Sequence, residues 1–159
     1  MRGRVRNFGL EELRNRIEAL TKEDRDAFFK EATNTLGNAV MGKARELTPV
    51  GDYSDRFPPY NNVVGGTLRD SWKMTPVEKS GNVYLVKVQN PVEYASYVNY
   101  GHKQNVGQFI PPYRKRAKKP FIKGQYMLEK AEMQTNPQAK ALLLPITQKY
   151  LKKVFEDGK

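Results

Sequence analysis

Three tyrosines, Tyr94, Tyr97 and Tyr100, recur three residues apart within residues 90–102, Asn-Pro-Val-Glu-Tyr-Ala-Ser-Tyr-Val-Asn-Tyr-Gly-His. At 3.6 residues per turn, that spacing gathers the three rings on one side of a short helix. Asn90-Pro91 favours a turn leading into the helix, and Gly101 supplies a residue at ease with φ > 0 at its end. Ala95 and Val98 make a neighbouring stripe of small apolar side chains. A helix of one or two turns does not hold together alone in water, so it must dock on a larger body. The aromatic stripe is the expected docking face, with at least two of Tyr94, Tyr97 and the single tryptophan, Trp72, buried in the core.

The rest of the chain supplies that body. Residues 1–9 carry Arg2, Arg4 and Arg6 between glycines and read as a basic, flexible arm. Leu10, Leu13, Ile17 and Leu20 fall at three- and four-residue spacing, a short amphipathic helix. Thr21, with an acid three residues on, begins a second helix. Its inner face runs through Ala27, Phe28, Ala32, Leu36, Ala39, Val40, Ala44 and Leu47, and it stops before Thr48-Pro49 because a residue preceding proline is pushed out of the α region. Gly37 and Gly42 interrupt it and mark expected points of close approach to another backbone. Residues 51–66 form a long loop rich in Pro and Gly that displays Tyr53, Phe57 and Tyr60, and loops of this length are commonly functional. Leu68 and Trp72 then lead inward to a sheet. Its best strand, 83–89, alternates Tyr84, Val86 and Val88 with Leu85, Lys87 and Gln89.

Residues 102–120 make a second long loop, read as a protruding arm or hairpin. From His102 to Lys123 there are seven positive charges and no acid, with Phe109, Ile110 and Tyr113 interleaved. Helices follow at 125–135 and from Asn136-Pro137 onward, the last carrying Pro145, a residue that kinks or splits helices. The order is helices, small antiparallel sheet, helices: an α+β chain, expected to fold as a single domain over 1–159.

Composition narrows the chemistry. Lysine and arginine number 28 against 17 aspartates and glutamates, a net charge of +11, so the partner is expected to be a polyanion or an acidic protein surface. The absence of cysteine removes disulfides and thiolate chemistry. His102 is the only histidine, which precludes a histidine-paired metal site, and it reads as solvated. Asp52, Asp55 and Asp70 are the carboxylates that could gather around Mg²⁺, but Asp52 and Asp55 sit in the Pro/Gly loop with nothing to fix their geometry. Ser71 lacks a nucleophile-elbow frame, and Gly65-Gly66-Thr67 has no phosphate-binding lysine behind it. No catalytic residue, cofactor or metal is expected, and neither a membrane span nor a signal peptide is visible. The candidate sites are a subunit interface or DNA-channel surface at Phe109, Tyr113, Arg114, Lys115, Arg116, Lys118, Lys119, Tyr53, Phe57 and Tyr60, and a core motif at Leu68, Trp72, Tyr94, Ala95, Tyr97, Val98 and Gly101.

Four segments in order resemble the neck, or tail-completion, proteins of long-tailed phages, similar in role to the tail-completion protein Z of lambda. They are Leu47-Thr48-Pro49-Val50 closing a long helix, Gly66-Thr67-Leu68-Arg69-Asp70-Ser71-Trp72, Val92–His102 with its Tyr-Ala-x-Tyr-Val-x-Tyr-Gly core, and Pro120-Phe121-Ile122 leading to Ala131. The resemblance covers roughly residues 25–135. Asn99 stands where the family commonly has Glu, and about fifteen residues are inserted between Val50 and Gly66. No Pro-Ala follows the Pro-Phe pair. The resemblance implies a non-enzymatic virion protein of the neck, made in the host cytoplasm. Its implied partners are copies of itself in a ring, the portal-side connector, and the tail terminator or tail tube, with nonspecific contact to packaged DNA and none to membrane. The alternative reading is a basic nucleic-acid-binding protein without sequence preference.

Overall fold

The computed structural model describes residues 22–54, 56 and 65–156. The expected basic arm, the helix through Leu10 and Leu20, the Thr21 cap, Asp55, Phe57 and Tyr60 lie outside the described residues, as do the side chains of Val154 and Phe155. The elements are α1 (Lys22–Leu47), α2 (Thr67–Asp70), β1 (Lys73–Met74), β2 (Glu78–Ser80), β3 (Val83–Leu85), β4 (Val88–Gln89), α3 (Ala95–Tyr100), β5 (Gly101–Lys103), β6 (Phe109–Ile110), β7 (Lys115–Arg116), β8 (Phe121–Lys123), α4 (Met127–Thr135) and α5 (Ala139–Glu156). This is the expected α+β architecture.

Helix α1 carries Glu23 and Asp24 in its first turn and Arg45 in its last, charges that oppose the helix dipole. It packs on α4 and α5 and touches β1, β3 and β4. Gly37 is where it meets the sheet: a Cβ there would lie 2.6 Å from Met74 Sδ and 2.8 Å from a Val86 methyl. The approach is to side chains, not to backbone as expected. Gly42 has nothing within 4 Å of an added Cβ, so the expectation of a close approach fails there.

Two antiparallel ribbons replace a single sheet. In the first, Lys73 pairs with Gln89 and Met74 with Val88, while Glu78 pairs with Leu85 and Ser80 with Val83. The register moves by one residue between these pairs, a bulge at Pro76-Val77, where proline cannot donate to the ladder. The expected strand 83–89 is therefore split, although Tyr84, Val86 and Val88 do turn inward and their neighbours outward. In the second, β5 pairs with β8 and β6 with β7, and bonds from Gln104 N to Pro120 O and Ala117 N to Gln108 O carry the ladder between them. Residues 101–123 are thus one long hairpin, turned by Pro111–Tyr113 and by Arg114 at φ 48°. Helix α5 continues through Pro145, which is exposed. The carbonyl one turn back, on exposed Ala141, can turn to water, so the expected split does not occur.

The core is Ala44, Leu68, Trp72, Met127 and Ala131, ringed by Val40, Met41, Leu47, Val88, Val92, Ala95, Val98 and Leu128. Thr48, 1% exposed, ties the end of α1 into it. Its hydroxyl donates to the Ala44 carbonyl at 2.6 Å and accepts from Trp72 Nε1–H at 2.7 Å. Its own carbonyl accepts from Arg69 Nε and Nη2 at 3.3 and 3.2 Å. Asn90 Nδ2 donates to the Leu68 carbonyl at 2.7 Å, fastening the entry to α3 onto α2.

Candidate protein-interaction surface

Helix α3 sits on the core by the stripe opposite its tyrosines. Ala95 and Val98 pack inward and Asn99 is buried, whereas Tyr94, Tyr97 and Tyr100 are 43%, 57% and 54% exposed. This corrects the expectation that at least two of Tyr94, Tyr97 and Trp72 are buried, since only Trp72 is. Trp72 and Leu68 are buried as expected. The reason is the tight seat of α3. Gly101, at φ 84°, faces the β8 backbone so closely that a Cβ would collide with the Ile122 carbonyl oxygen, and Gly124 abuts the Asn99 carbonyl in the same way. Only small side chains fit between backbones at that separation, so the large ones turn outward.

Asn99 does what its neighbours cannot. Its Oδ1 accepts from the Met127 N–H at 2.8 Å and the Leu128 N–H at 3.4 Å, capping the first turn of α4 from a different segment. Its Nδ2 donates to Glu129 Oε2 and Oε1 at 3.0 and 3.2 Å. The polar residue in an otherwise apolar and aromatic stretch was the available signal, and sequence reasoning passed over it. Thr48 was missed likewise.

The outward face continues past the tyrosines. The Tyr100 and Tyr126 rings meet edge to face at 6.5 Å, as do Tyr97 and His102 at 5.8 Å. Phe121, Ile122 and Tyr126 are also exposed. His102 is half-buried, not solvated as expected, and its Nδ1 is buried without a hydrogen-bond partner.

Along the hairpin, Phe109, Arg114, Lys115, Arg116, Lys118 and Lys119 are exposed. Arg116 Nη1 donates to the Gly107 carbonyl at 2.7 Å, and Ala117 is buried. Tyr113 and Tyr53 are brought together by Arg56, a residue not singled out from sequence. The guanidinium lies 4.0 Å from the Tyr53 ring centre and 5.2 Å from that of Tyr113, and its Nε–H donates to the Tyr113 hydroxyl at 3.2 Å. The tip of the hairpin is thereby clasped to the 51–56 segment. Asp52 accepts from the Ser54 N–H at 2.9 Å, and that bond holds its carboxyl below the ordinary range. Among the described residues no cluster of His, Asp or Glu is arranged to hold a metal ion, and no helix is long and apolar enough to cross a membrane.

The family model HK97-gp10-like, described as "Bacteriophage HK97-gp10, putative tail-component", matches residues 11–101. The match takes in α1, the first ribbon and α3, and ends where the cationic hairpin begins. No curated protein and no solved structure gives a match. The match spans more than half of the chain, which therefore belongs to the HK97-gp10-like family.

Proposed function

We propose that this member of the HK97-gp10-like family is a structural component of a phage tail, that copies of it form a ring in the neck, and that the ring joins the head connector to the tail. The observation that carries the joining role in this reading is the aromatic surface around α3. Six large side chains in this region, Tyr94, Tyr97, Tyr100, Phe121, Ile122 and Tyr126, are each exposed. Exposed aromatics concentrated in one region mark interaction sites. Beneath them lies a scaffold fixed by Thr48, Asn90, Asn99 and Gly101, so the surface is rigid before any partner arrives. Its neighbours in a particle would be the portal-side connector and the tail terminator or tube. The mode of action is binding, with no chemical step.

The test shortens the hairpin. Because Lys103 pairs with Phe121, residues 104–120 can be replaced by an Asn-Gly turn joining those two positions. The subunit should remain folded, while heads and tails accumulate unjoined. Fully infectious particles carrying the deletion would overturn the reading.

The acid-free hairpin favours a second reading, sequence-blind binding to nucleic acid. Five phosphate contacts would give a log–log salt slope of about −4 to −5, at roughly −0.9 per phosphate. Tight, sequence-specific binding by the monomer would speak against a structural role.

A further inference from the structure

We propose that the tyrosine face of α3 and the cationic hairpin form one docking surface for an acidic, apolar-centred surface of a different protein, not for a second copy of this chain. This deepens, and rests on, the reading that the chain works through protein contacts in a tail.

The surface is continuous. Tyr97 meets His102 of β5, whose cross-strand partner is Ile122 of β8, and Tyr100 meets Tyr126, three residues past β8. On the other face of the same ribbon, Lys103 stands opposite Phe121 and Lys123 opposite Gly101, so the tyrosine face passes over the ribbon's edge into a cationic one. A hydrophobic centre with a charged margin is the usual anatomy of a protein interface.

Charge selects the partner. From Tyr94 to Leu128 there is no aspartate or glutamate, against seven lysines and arginines. Among the described residues, Lys103, Lys118, Lys119 and Lys123 take part in no ion pair. Four of the five acids of α1 are engaged within the subunit: Asp26 with Lys79 at 2.6 Å, Glu31 with Lys149 at 2.8 Å, Glu46 with Lys43 at 2.6 Å, and Asp24 with Lys153. A second copy, itself carrying +11, would set one cation-rich hairpin against another, a repulsive pairing. The net charge and the acid-free hairpin both favour carboxylates from an acidic surface of another protein.

The ring geometry favours protein over nucleic acid. The two aromatic pairs are crossed at 80° and 78°. Crossed pairs present edges and hydroxyls, where bases need a succession of open ring faces. A further mark is backbone strain. The two non-glycine residues with positive φ among the described residues are Tyr126 and Arg114. One lies in the aromatic face and the other at the hairpin tip, both where glycine would be the easier occupant.

The full chain is titrated, at physiological salt, with three fluorescent probes: a short peptide of alternating glutamate and leucine, its lysine-leucine counterpart, and an oligothymidylate of equal length. The glutamate-leucine peptide should bind at least about tenfold tighter than either comparator. Tyr97→Ala/Tyr100→Ala and Lys118→Glu/Lys119→Glu should each weaken it by about tenfold, with the melting temperature of each variant checked against the parent. The proposal is overturned by oligothymidylate binding as tightly, by no preference for the acidic peptide, or by self-association that both variants abolish. Incorporation of the parent chain into particles, scored separately, reports on the tail role, so the two readings fail independently.

Discussion

Replacing Asn99 should cost more than any other single change on α3, although it is neither large nor apolar. The residue is 6% exposed and serves two groups at once. Asn99→Ala leaves the Met127 N–H, on a residue 1% exposed, without its 2.8 Å acceptor, and removes the donor that Glu129 receives at 3.0 Å. An unsatisfied buried donor costs about 1–3 kcal/mol, and loss of an N-cap typically about 1 kcal/mol, two descriptions that overlap here. We expect a loss of about 2–3 kcal/mol, a fall in Tm of roughly 4–12 °C for a chain of this size. Asn99→Asp separates the two roles. It keeps an acceptor at the helix N-terminus, which favours negative charge, but sets a carboxylate against that of Glu129. That variant should be destabilised at neutral pH, recover partly as pH falls through the carboxylate range near pH 4, and be rescued by Glu129→Gln. Urea unfolding of the four variants as a double-mutant cycle measures the coupling. A loss below about 0.5 kcal/mol for Asn99→Ala, within the spread of ordinary surface changes, would refute the capping account. So would Asn99→Asp with no response to Glu129→Gln.

Thr48→Val keeps the shape but strips the acceptor from Trp72 Nε1–H, so unfolding free energy should drop by about 1–3 kcal/mol, with Trp72 fluorescence reporting the change. Arg56→Ala should loosen the hairpin tip alone: amide exchange over residues 109–117 accelerates while that of α1 stays constant, and unchanged exchange at the tip would mean the clasp holds nothing. Lysine in its place should restore little, since an ammonium cannot lie flat between two rings. Bonds from Lys79 and then Tyr84 hold the Asp26 carboxyl below its ordinary range, and bonds from Lys149 and then Tyr150 do so for Glu31. With folded values depressed, the unfolded chain takes up protons first. The stability these groups contribute is therefore present above about pH 4 and lost as pH falls through their folded values. Asp26→Asn/Glu31→Gln should flatten the acid limb of a Tm-against-pH curve, and an unaltered limb would show that other carboxylates govern it.

Local chemistry alone determined a good deal of this protein. Proline after Thr48 ends α1, Gly101 ends α3 at positive φ, and the alternation of Tyr84, Val86 and Val88 sets the inner face of the first ribbon. Those features depend on backbone sterics and side-chain period, which act within a few residues. The run from His102 to Lys123 likewise announced an arm by its charge. Which stripe of α3 faces inward was not legible. Periodicity gives two stripes, one aromatic and one of Ala95, Val98 and Asn99, and size favours burying the first. The choice was made by the room available once Gly101 and Gly124 bring two backbones together, a distance set by residues twenty-three apart in the chain. Thr48 with Trp72, Asn99 with Met127, and Arg56 with Tyr113 are partnerships of the same kind. Each needs a donor and an acceptor delivered by separate elements to within about 3 Å, and only the folded chain brings them there.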